Sequence, residues 1–219
     1  MNRKAIILGI TGLVGDLLSQ KLLKNNHYVE VISIHRRTAN ITSAKFSEHI
    51  VDGIEHLKNP VKADVVFCCV GTTNAKTPDK EKYRAIDYGI PLKAAEYCKK
   101  NGVGTLIVIS AMGADPKSKV FYNRLKGEME RDVLKVGIKN TFFMQPSLIA
   151  GDRKEKRTFE YITKQMMKFL NFFLIGPAKK YRSIHADTIA EAMIHVDLHG
   201  YEKARIQSDE IQNIADGTR

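Results

Sequence analysis

The stretch that decides the fold is residues 4–15, Lys-Ala-Ile-Ile-Leu-Gly-Ile-Thr-Gly-Leu-Val-Gly. An apolar run stops at the first glycine, and the apolar spacing that follows the last one is typical of a helix. A strand, a glycine turn and a helix start form the geometry that binds a pyrophosphate, because glycine lets the backbone come close and the helix start presents free N–H groups. We expect a dinucleotide to be bound there by Gly9, Thr11, Gly12, Leu13, Val14 and Gly15.

The spacing of Gly9, Gly12 and Gly15 differs from the G-x-G-x-x-G of the commonest dinucleotide-binding turn. A plain tight turn between a buried strand and a helix is the alternative interpretation. The strand before these glycines and the helix after them favour phosphate binding.

The composition predicts one globular domain. The chain has 219 residues, of which 43% are hydrophobic, enough for a well-buried core. Asp16 interrupts the first apolar stretch and no small-residue cleavage site follows it, so we interpret it as a strand and not as a signal peptide. No apolar stretch approaches the roughly 18 to 20 residues of a membrane-spanning helix. These features predict a cytoplasmic protein.

The cysteines Cys68, Cys69 and Cys98 show neither metal-ligand spacing nor a disulfide pattern, so no metal site is predicted. Cys68 and Cys69 stand in an apolar run, where we interpret them as small buried hydrophobes. A redox role is the alternative.

The formal net charge of +11 raises the question of a nucleic-acid partner, because basic surfaces attract phosphates without specificity. The basic residues are scattered, however, and the one dense cluster, within residues 153–157, lacks interleaved aromatic side chains. We therefore expect a solvated cationic surface and no specific nucleic-acid partner. Part of the charge can serve an anionic cofactor.

Strand and helix signals alternate along the chain, which predicts an α/β fold: a doubly wound, mostly parallel sheet with helices on both faces, in a single domain. The predicted strands are residues 5–8, 29–34, 49–51, 64–70, 105–110, 141–145 and 183–184. The predicted helices are residues 13–25, 91–101, 119–136, 159–173 and 188–198. Thr188 and Glu191 have the spacing of a capping box for the last helix, although Asp187 is an equal candidate for its N-cap.

The helix expected at residues 159–173 carries one apolar stripe, typical of a helix that faces a core. Met167, Phe172 and Leu174 lie off that stripe. Three alternatives stay open for them: a substrate pocket, the interface of a homodimer, or contact with a membrane surface. We assign residues 147–182, with approximate bounds, to a small lobe on the substrate side.

Arg36 and Arg37 follow the second predicted strand, about twenty residues after the last glycine of the turn. An NAD site places an acidic residue there for the ribose 2′-hydroxyl, whereas an NADP site has an arginine for the 2′-phosphate. The arginines favour NADP(H) over NAD(H), with two solvated side chains as the alternative. Asp52, just past the third strand, is either an adenine contact or a plain turn residue.

Tyr122 and Lys126 form a Y-x-x-x-K pair on one face of a helix. Such pairs arise by chance, but this one opens the helix after the fifth strand, and Ser110 closes that strand. The three side chains can converge on a nicotinamide at the carboxyl ends of the strands. Lys126 would lower the pKa of Tyr122 and make it an acid–base group, and Ser110 would orient a carbonyl. A surface Tyr and Lys on an amphipathic helix are the alternative.

These residues, together with Ser-Ile-His-Ala-Asp-Thr-Ile-Ala at 183–190, resemble the atypical short-chain dehydrogenase/reductase superfamily over nearly the whole chain. Within it, residues 67–73, 109–115 and 122–130 are similar to the Tat-interacting-protein branch, most specifically in Cys-Cys-x-Gly-Thr-Thr and Lys-Gly-Glu. The resemblance implies a Rossmann fold, NADPH binding against Gly71 and Thr72, and Tyr122 and Lys126 as the catalytic pair. Lys126 and Pro146 complete the expected cofactor contacts.

Two features depart from the superfamily. Ala111 and Met112 stand where a second small polar residue usually accompanies the serine, and the large C-terminal substrate domain of nucleotide-sugar epimerases is lacking. We therefore expect a substrate other than a sugar nucleotide. The predicted function is an NADP(H)-dependent oxidoreductase for a small carbonyl or quinone-like substrate. The competing class is an NADP(H)-binding regulatory or redox-sensing interaction protein without turnover.

Overall fold

A seven-stranded parallel sheet forms the centre of the computed structural model, which describes residues 2–150 and 182–217. The strand order is β3-β2-β1-β4-β5-β6-β9. These strands are β1 Arg3–Leu8, β2 Tyr28–His35, β3 Phe46–Ile50, β4 Val65–Cys68, β5 Thr105–Ile109, β6 Asn140–Gln145 and β9 Arg205–Gln207. A second, two-stranded parallel sheet pairs β7 Ile149–Ala150 with β8 Ile184–His185.

Helices cover both faces of the central sheet. They are α1 Leu13–Lys24, α2 Lys80–Arg84, α3 Ile90–Asn101, α4 Phe121–Lys135, α5 Ala186–His199 and α6 Ser208–Ala215. Successive strand residues alternate between two cores: Ile107 packs with α1, α5 and α6, whereas Leu106 and Val108 pack with α3 and α4. The predicted doubly wound α/β architecture is confirmed, and every pairing in the central sheet is parallel.

The strand order reverses between β1 and β4, since the chain adds strands outward from β1 on one side and then from β4 on the other. In open sheets of this kind, ligands bind at the carboxyl ends of the strands at that reversal. The glycine turn follows β1, and Gly71 lies in the loop after β4. The glycine turn and Gly71 therefore lie at the edge where the fold opens a crevice.

The helix predicted to start at Pro91 begins eleven residues earlier, at Lys80. Asp79 is its N-cap and accepts hydrogen bonds from the amides of Glu81 at 2.8 Å and Lys82 at 3.0 Å. Pro91 has no N–H to give to the carbonyl of Asp87, four residues before it, and the helix widens at this point into a π turn, Ala85–Gly89. The helix continues through this turn as α2, the π turn and α3.

Two other local predictions are wrong, and two elements were missed. Asp187 and Glu191 do not cap α5: its N-cap is His185 without a side-chain bond, and both carboxylates pair instead with Lys21, at 3.1 and 2.9 Å. The strand expected at residues 183–184 joins β7 and not the central sheet. The central sheet is completed by β9, and α6 follows it; neither was predicted.

Most of the predicted lobe at residues 147–182 lies outside the described residues, as do the helix expected at 159–173 and the basic cluster within 153–157. Among the helices of the described ranges, none is long and apolar enough to cross a membrane. Cys68 and Cys98 are buried free thiols, and burial raises the pKa of Cys68 to about 11 and that of Cys98 to about 12. Cys69 is only partly buried, so the prediction of two buried adjacent cysteines is confirmed for Cys68 alone.

Candidate active site at the carboxyl edge of the sheet

The glycine turn is shaped by close backbone approach. Gly9 has a φ of +83°, and a Cβ on Gly15 would lie 2.2 Å from the carbonyl oxygen of Gly9, so only glycine lets α1 start against β1. The amide of Gly12 donates to the same carbonyl at 3.0 Å. Thr11 and Gly12 are exposed, whereas the Val14 side chain is in the core and offers only its backbone to a ligand.

This turn fits a pyrophosphate. Its exposed residues, Thr11 and Gly12, directly precede the first turn of α1, whose backbone amides have no hydrogen-bond partner inside the helix. A Cβ on Gly12 would meet the Gly9 carbonyl oxygen at 3.2 Å and the Cys69 carbonyl oxygen at 3.8 Å, so a side chain there would crowd the turn.

The loop after β4 is held in place beside the turn. The amide of Thr72 donates to Asp87 Oδ2 at 2.8 Å, and Tyr83 Oη donates to the Thr72 carbonyl at 3.1 Å. The Thr72 hydroxyl also bonds Thr77 Oγ1 at 2.8 Å. Gly71 is exposed next to this anchored threonine, so both residues expected to contact a cofactor lie at the same edge as the glycine turn.

Arg36 lines a surface cleft of about 480 Å³ formed with the loop after β4 and the start of α2. Lys76 and Lys82 line the same cleft, together with Asp79. Arg37 is exposed, and Asp52 is exposed just past β3, the edge strand of the sheet. The structure thus brings Arg36 together with two lysines and leaves Arg37 and Asp52 on the surface.

Glu48 on β3 holds the loop that carries the two arginines. Its carboxylate accepts from the Thr38 hydroxyl at 2.8 Å and the Ala39 amide at 3.0 Å, and contacts His35 Nε2 at 3.0 Å. The Ala39 amide and the Thr38 hydroxyl keep the pKa of Glu48 below its usual range. The loop therefore leaves β2 in a defined direction.

Lys126 is paired with a carboxylate that sequence reasoning did not identify. Its Nζ lies 2.9 Å from Asp87 Oδ1, and the two side chains are 2% and 1% exposed. Lys126 Nζ also donates to the carbonyl of Ile109, the last residue of β5, at 3.4 Å. Asp87 is presented by the π turn, so the kink in the helix places this charge against α4.

Tyr122 lies one turn before Lys126 on α4, edge-on to Tyr83 with ring centroids 6.4 Å apart. Although 37% of Tyr122 is exposed, the protein packed around the phenol raises its pKa; Lys126 lowers that pKa and Asp87 raises it again. The expected effect of Lys126 is therefore present but is outweighed. Burial, the largest single effect, lowers the pKa of Lys126, but the charges of Asp87 and Tyr122 and the hydrogen bond to Asp87 together raise it overall.

Ser110 takes part in a buried hydrogen-bond network with Glu130, Gln145 and Arg205. Its hydroxyl donates to Glu130 Oε1 at 2.5 Å, and that oxygen also accepts from Gln145 Nε2 at 2.9 Å. The other Glu130 oxygen accepts from Arg205 Nε at 2.6 Å. This network ties the end of β5 to α4, β6 and β9, and it engages the Ser110 proton.

The loop after β5 reaches this network because of Gly127. A Cβ there would lie 2.2 Å from Pro116 N, so glycine lets residues 115 and 116 pack directly on α4. Pro146 is buried, and its carbonyl accepts from the amide of Met112 at 3.0 Å, which joins this loop to the end of β6. Gly127, the central residue of the Lys-Gly-Glu string, is therefore needed for this packing.

Sequence reasoning missed Asp87, Glu130 and Arg205. An acidic residue in the apolar string Ala-Ile-Asp-Tyr-Gly-Ile, residues 85–90, was a detectable signal for a buried charge. Glu130 lies one helical turn after Lys126, but its partners lie 15 to 75 residues away in sequence and could not be assigned without the fold. Among the residues described, no group of His, Cys, Asp and Glu has an arrangement suited to a metal ion.

This geometry defines a Rossmann-type protein with a dinucleotide turn and a Tyr–Lys pair at one edge. The chain belongs to the NAD dependent epimerase/dehydratase family, whose model matches residues 5–205. The predicted superfamily is thereby confirmed.

Among curated proteins, the chain is similar to "Protein FMP52, mitochondrial" of Candida albicans, 31% identical over 156 residues that cover 68% of each chain. It is also similar to "Protein fmp52-1, mitochondrial" of Aspergillus terreus, 28% identical over 204 residues that cover 90% of this chain and 88% of the relative. The narrower likeness to the Tat-interacting-protein branch is not confirmed by these relatives.

Solved structures of nucleotide-sugar enzymes share the fold. The UDP-glucuronic acid 4-epimerase from Bacillus cereus in complex with NAD has a TM-score of 0.65 at 17% identity, covering 93% of this chain and 77% of that one. MoeE5 in complex with UDP-glucuronic acid and NAD has a TM-score of 0.68 at 15% identity, covering 98% and 82%. At these identities the likeness shows the fold alone, which is of the Rossmann type.

The prediction of a cytoplasmic protein is wrong. The curated relatives are named as mitochondrial proteins in Candida albicans, Aspergillus terreus and Scheffersomyces stipitis. Composition and the lack of a long apolar stretch identify neither the cytosol nor the mitochondrion. The features used for the prediction therefore could not distinguish the two.

Proposed function

We propose that this protein is an NADP(H)-dependent oxidoreductase that transfers a hydride between NADPH and a small carbonyl or quinone-like substrate. The observation that carries the proposal is the connection between the Tyr–Lys pair and the cofactor edge. Lys126 is bound to Asp87, and Asp87 is bound to the amide of Thr72 in the loop beside the glycine turn. A plain surface lysine would not be 2% exposed and tied to that loop, and Tyr122 lies one helical turn before Lys126 on α4.

The proposed chemistry divides the work among this chain's residues. The glycine turn and the start of α1 bind the pyrophosphate, and Gly71, Thr72 and Pro146 line the nicotinamide side. When bound, NADPH supplies the hydride that the substrate carbon takes up. Tyr122 donates its phenol proton to the carbonyl oxygen and regains one from water, which its partly exposed side chain permits.

Ser110 orients the substrate oxygen in this proposal only after a rotation. A hydroxyl that donates to Glu130 has lone pairs left but no proton for a second acceptor. To donate to a carbonyl, Ser110 has to turn its O–H away from Glu130. The carboxylate keeps Gln145 and Arg205 as partners meanwhile, so the rotation does not strand a buried charge.

The preference for NADP(H) rests on the cleft beside Arg36. The guanidinium shares that cleft with Lys76 and Lys82, and a 2′-phosphate bound there meets several cations. Exposed Arg37, next to Arg36 in sequence, would add positive charge for the 2′-phosphate, and Asp52, just past β3, would contact the adenine. The mitochondrial names of the relatives lead us to propose a mitochondrial location, which cell fractionation with an antibody to the natural protein tests; a purely cytosolic protein contradicts it.

The experiment that tests the function is a turnover screen. Purified protein is titrated with NADPH by fluorescence and then mixed with NADPH and a panel of aldehydes, ketones and quinones, while nicotinamide absorbance is followed. Loss of absorbance that depends on both protein and substrate supports the oxidoreductase. NADPH binding without turnover of any compound favours the regulatory or redox-sensing class. Absence of binding overturns the proposal.

A further inference from the structure

The buried pair of Lys126 and Asp87 changes what the lysine can do to Tyr122. Lys126 Nζ and Asp87 Oδ1 are 2.9 Å apart and almost fully shielded from water. Charges in such surroundings are weakly screened, so the carboxylate cancels much of the field that the ammonium exerts on its neighbours. An isolated ammonium beside Tyr122 would favour phenolate, and a neutralised one does so far less.

The pair is fixed and not a chance contact. Asp87 Oδ2 accepts from the Thr72 amide at 2.8 Å, and Lys126 also donates to the Ile109 carbonyl at 3.4 Å. Each charged group therefore has further hydrogen bonds, the condition under which a buried pair is tolerated. The π turn that presents Asp87 follows from Pro91, so the position of the carboxylate is set by the backbone.

The other titratable groups near the pair do not replace Asp87. Cys68, at the end of β4, is a buried thiol with a pKa raised to about 11, and is uncharged at neutral pH. Tyr83 on α2 is buried, and burial raises its pKa as well. Glu130, one turn further along α4, is occupied by Ser110, Gln145 and Arg205. Asp87 is the anion bonded to Lys126.

We propose that Asp87 is a positioning residue that neutralises Lys126 and keeps Tyr122 protonated at neutral pH. Its consequence for the reaction rests on the proposed function: a protonated phenol gives a proton to a substrate oxygen, so the site works as a reductase at neutral pH. It accepts a proton from an alcohol only in alkaline solution. Burial around the phenol acts in the same direction as Asp87 and is the larger of the two effects on the pKa of Tyr122.

The test is a titration of Tyr122 without cofactor or substrate. Protein labelled with ¹³C at the ring Cζ of tyrosine is followed by NMR between about pH 6 and 11, and the Tyr122 signal is assigned by its loss in Tyr122→Phe. The expected wild-type signal stays that of neutral phenol to about pH 10. A midpoint below about pH 8 overturns the proposal. This measurement needs no variant other than Tyr122→Phe, which is used for the assignment.

The role of Asp87 is isolated by Asp87→Asn, which keeps the size of the side chain and removes its charge. The expected midpoint of Tyr122 falls by about 1 to 3 pH units. Glu81→Gln is the matched control, since it removes an exposed charge from the same helical segment, and its midpoint should stay at the wild-type value. An unchanged midpoint in folded Asp87→Asn contradicts the assignment. A lowered midpoint together with failure of the turnover screen removes the proposed function and leaves the role of Asp87 standing.

Discussion

Two groups of one tyrosine, one cation and one aspartate lie at opposite ends of the central sheet. At the amino ends of β1 and β2, Arg3 Nε and Nη2 bind Asp197 at 2.9 and 2.6 Å, and Tyr28 Oη donates to Asp197 at 2.6 Å. At the carboxyl ends, Lys126 binds Asp87 and Tyr122 lies beside them. The residue types are nearly the same, but the tyrosines differ.

Tyr28 is fully buried and its hydroxyl is used by the aspartate, whereas Tyr122 is 37% exposed and makes no hydrogen bond within the described residues. The first group is closed: a bidentate guanidinium and a phenol satisfy the carboxylate and join β1 and β2 to α5. The second group is open, because the phenol of Tyr122 reaches the surface. In the proposed function, its position at the carboxyl edge of the sheet gives this group a role in the reaction, whereas the first group only stabilises the fold.

The largest expected difference is in catalysis. Tyr122→Phe should lower kcat/KM by about 100- to 10,000-fold, because only the proton donor is lost, while NADPH affinity and the melting temperature stay the same. Tyr28→Phe is the matched control and should leave kcat/KM unchanged. Equal rates for Tyr122→Phe and the wild type would remove the distinction between the two groups.

The largest effect of a substitution on stability is expected at the closed group, which is Arg3, Tyr28 and Asp197. Asp197→Ala should lower the free energy of unfolding by about 3 to 5 kcal/mol, because Arg3 and Tyr28 lose a shared buried partner. Urea denaturation measures this. Glu202→Ala removes a carboxylate that is 70% exposed and lies 3.6 Å from Lys203, and it should change stability little. A similar small loss for Asp197→Ala would show that the closed group contributes no more than a surface pair.

Cofactor choice should depend on charges at the carboxyl edge only. Replacing Arg36 and Arg37 together by Ala should weaken NADPH binding about 10- to 100-fold through loss of contacts with the 2′-phosphate, and should leave NADH affinity nearly constant. Arg131→Ala, an exposed arginine on α4 bonded to Asp132, controls for net charge. Fluorescence titrations that show parallel losses for both nucleotides would contradict the assignment of the arginines.

The smallest expected effect sharpens the same comparison. Tyr28→Phe removes one donor from Asp197 but leaves Arg3 in place, so we expect a loss of about 1 to 2 kcal/mol in unfolding free energy. Urea denaturation compared with Tyr122→Phe, which should lose almost none, measures it. A larger loss of unfolding free energy for Tyr122→Phe than for Tyr28→Phe would mean that Tyr122 also stabilises the fold.

The strand-turn-helix stretch was predictable because its information is local. Gly9, Gly12 and Gly15 lie within seven residues, and Tyr122 and Lys126 are one helical turn apart. The apolar runs that form β1, β4 and β5 were recognised for the same reason, although their ends shifted by one or two residues.

The carboxylates that surround the site were not predictable in the same way. Asp87 and Lys126 are 39 residues apart, and Glu130 and Arg205 are 75 apart, so each pairing depends on the strand order. The short strand β9 has only three residues and carries no clear period, yet it completes the sheet. Contacts made across the fold decide whether the phenol of Tyr122 is protonated, which the pattern Y-x-x-x-K does not encode.

The most direct test of hydride transfer at this edge uses NADPH in which both hydrogens at C4 of the nicotinamide are replaced by deuterium, so that transfer from either face is detected. A carbonyl compound found in the turnover screen is incubated with wild-type protein and the deuterated cofactor, and the product is analysed by mass spectrometry. The account predicts an alcohol that carries one deuterium on the former carbonyl carbon, formed far more slowly by Tyr122→Phe. A product without deuterium, or protein that binds NADPH and forms no product with any compound, would contradict it.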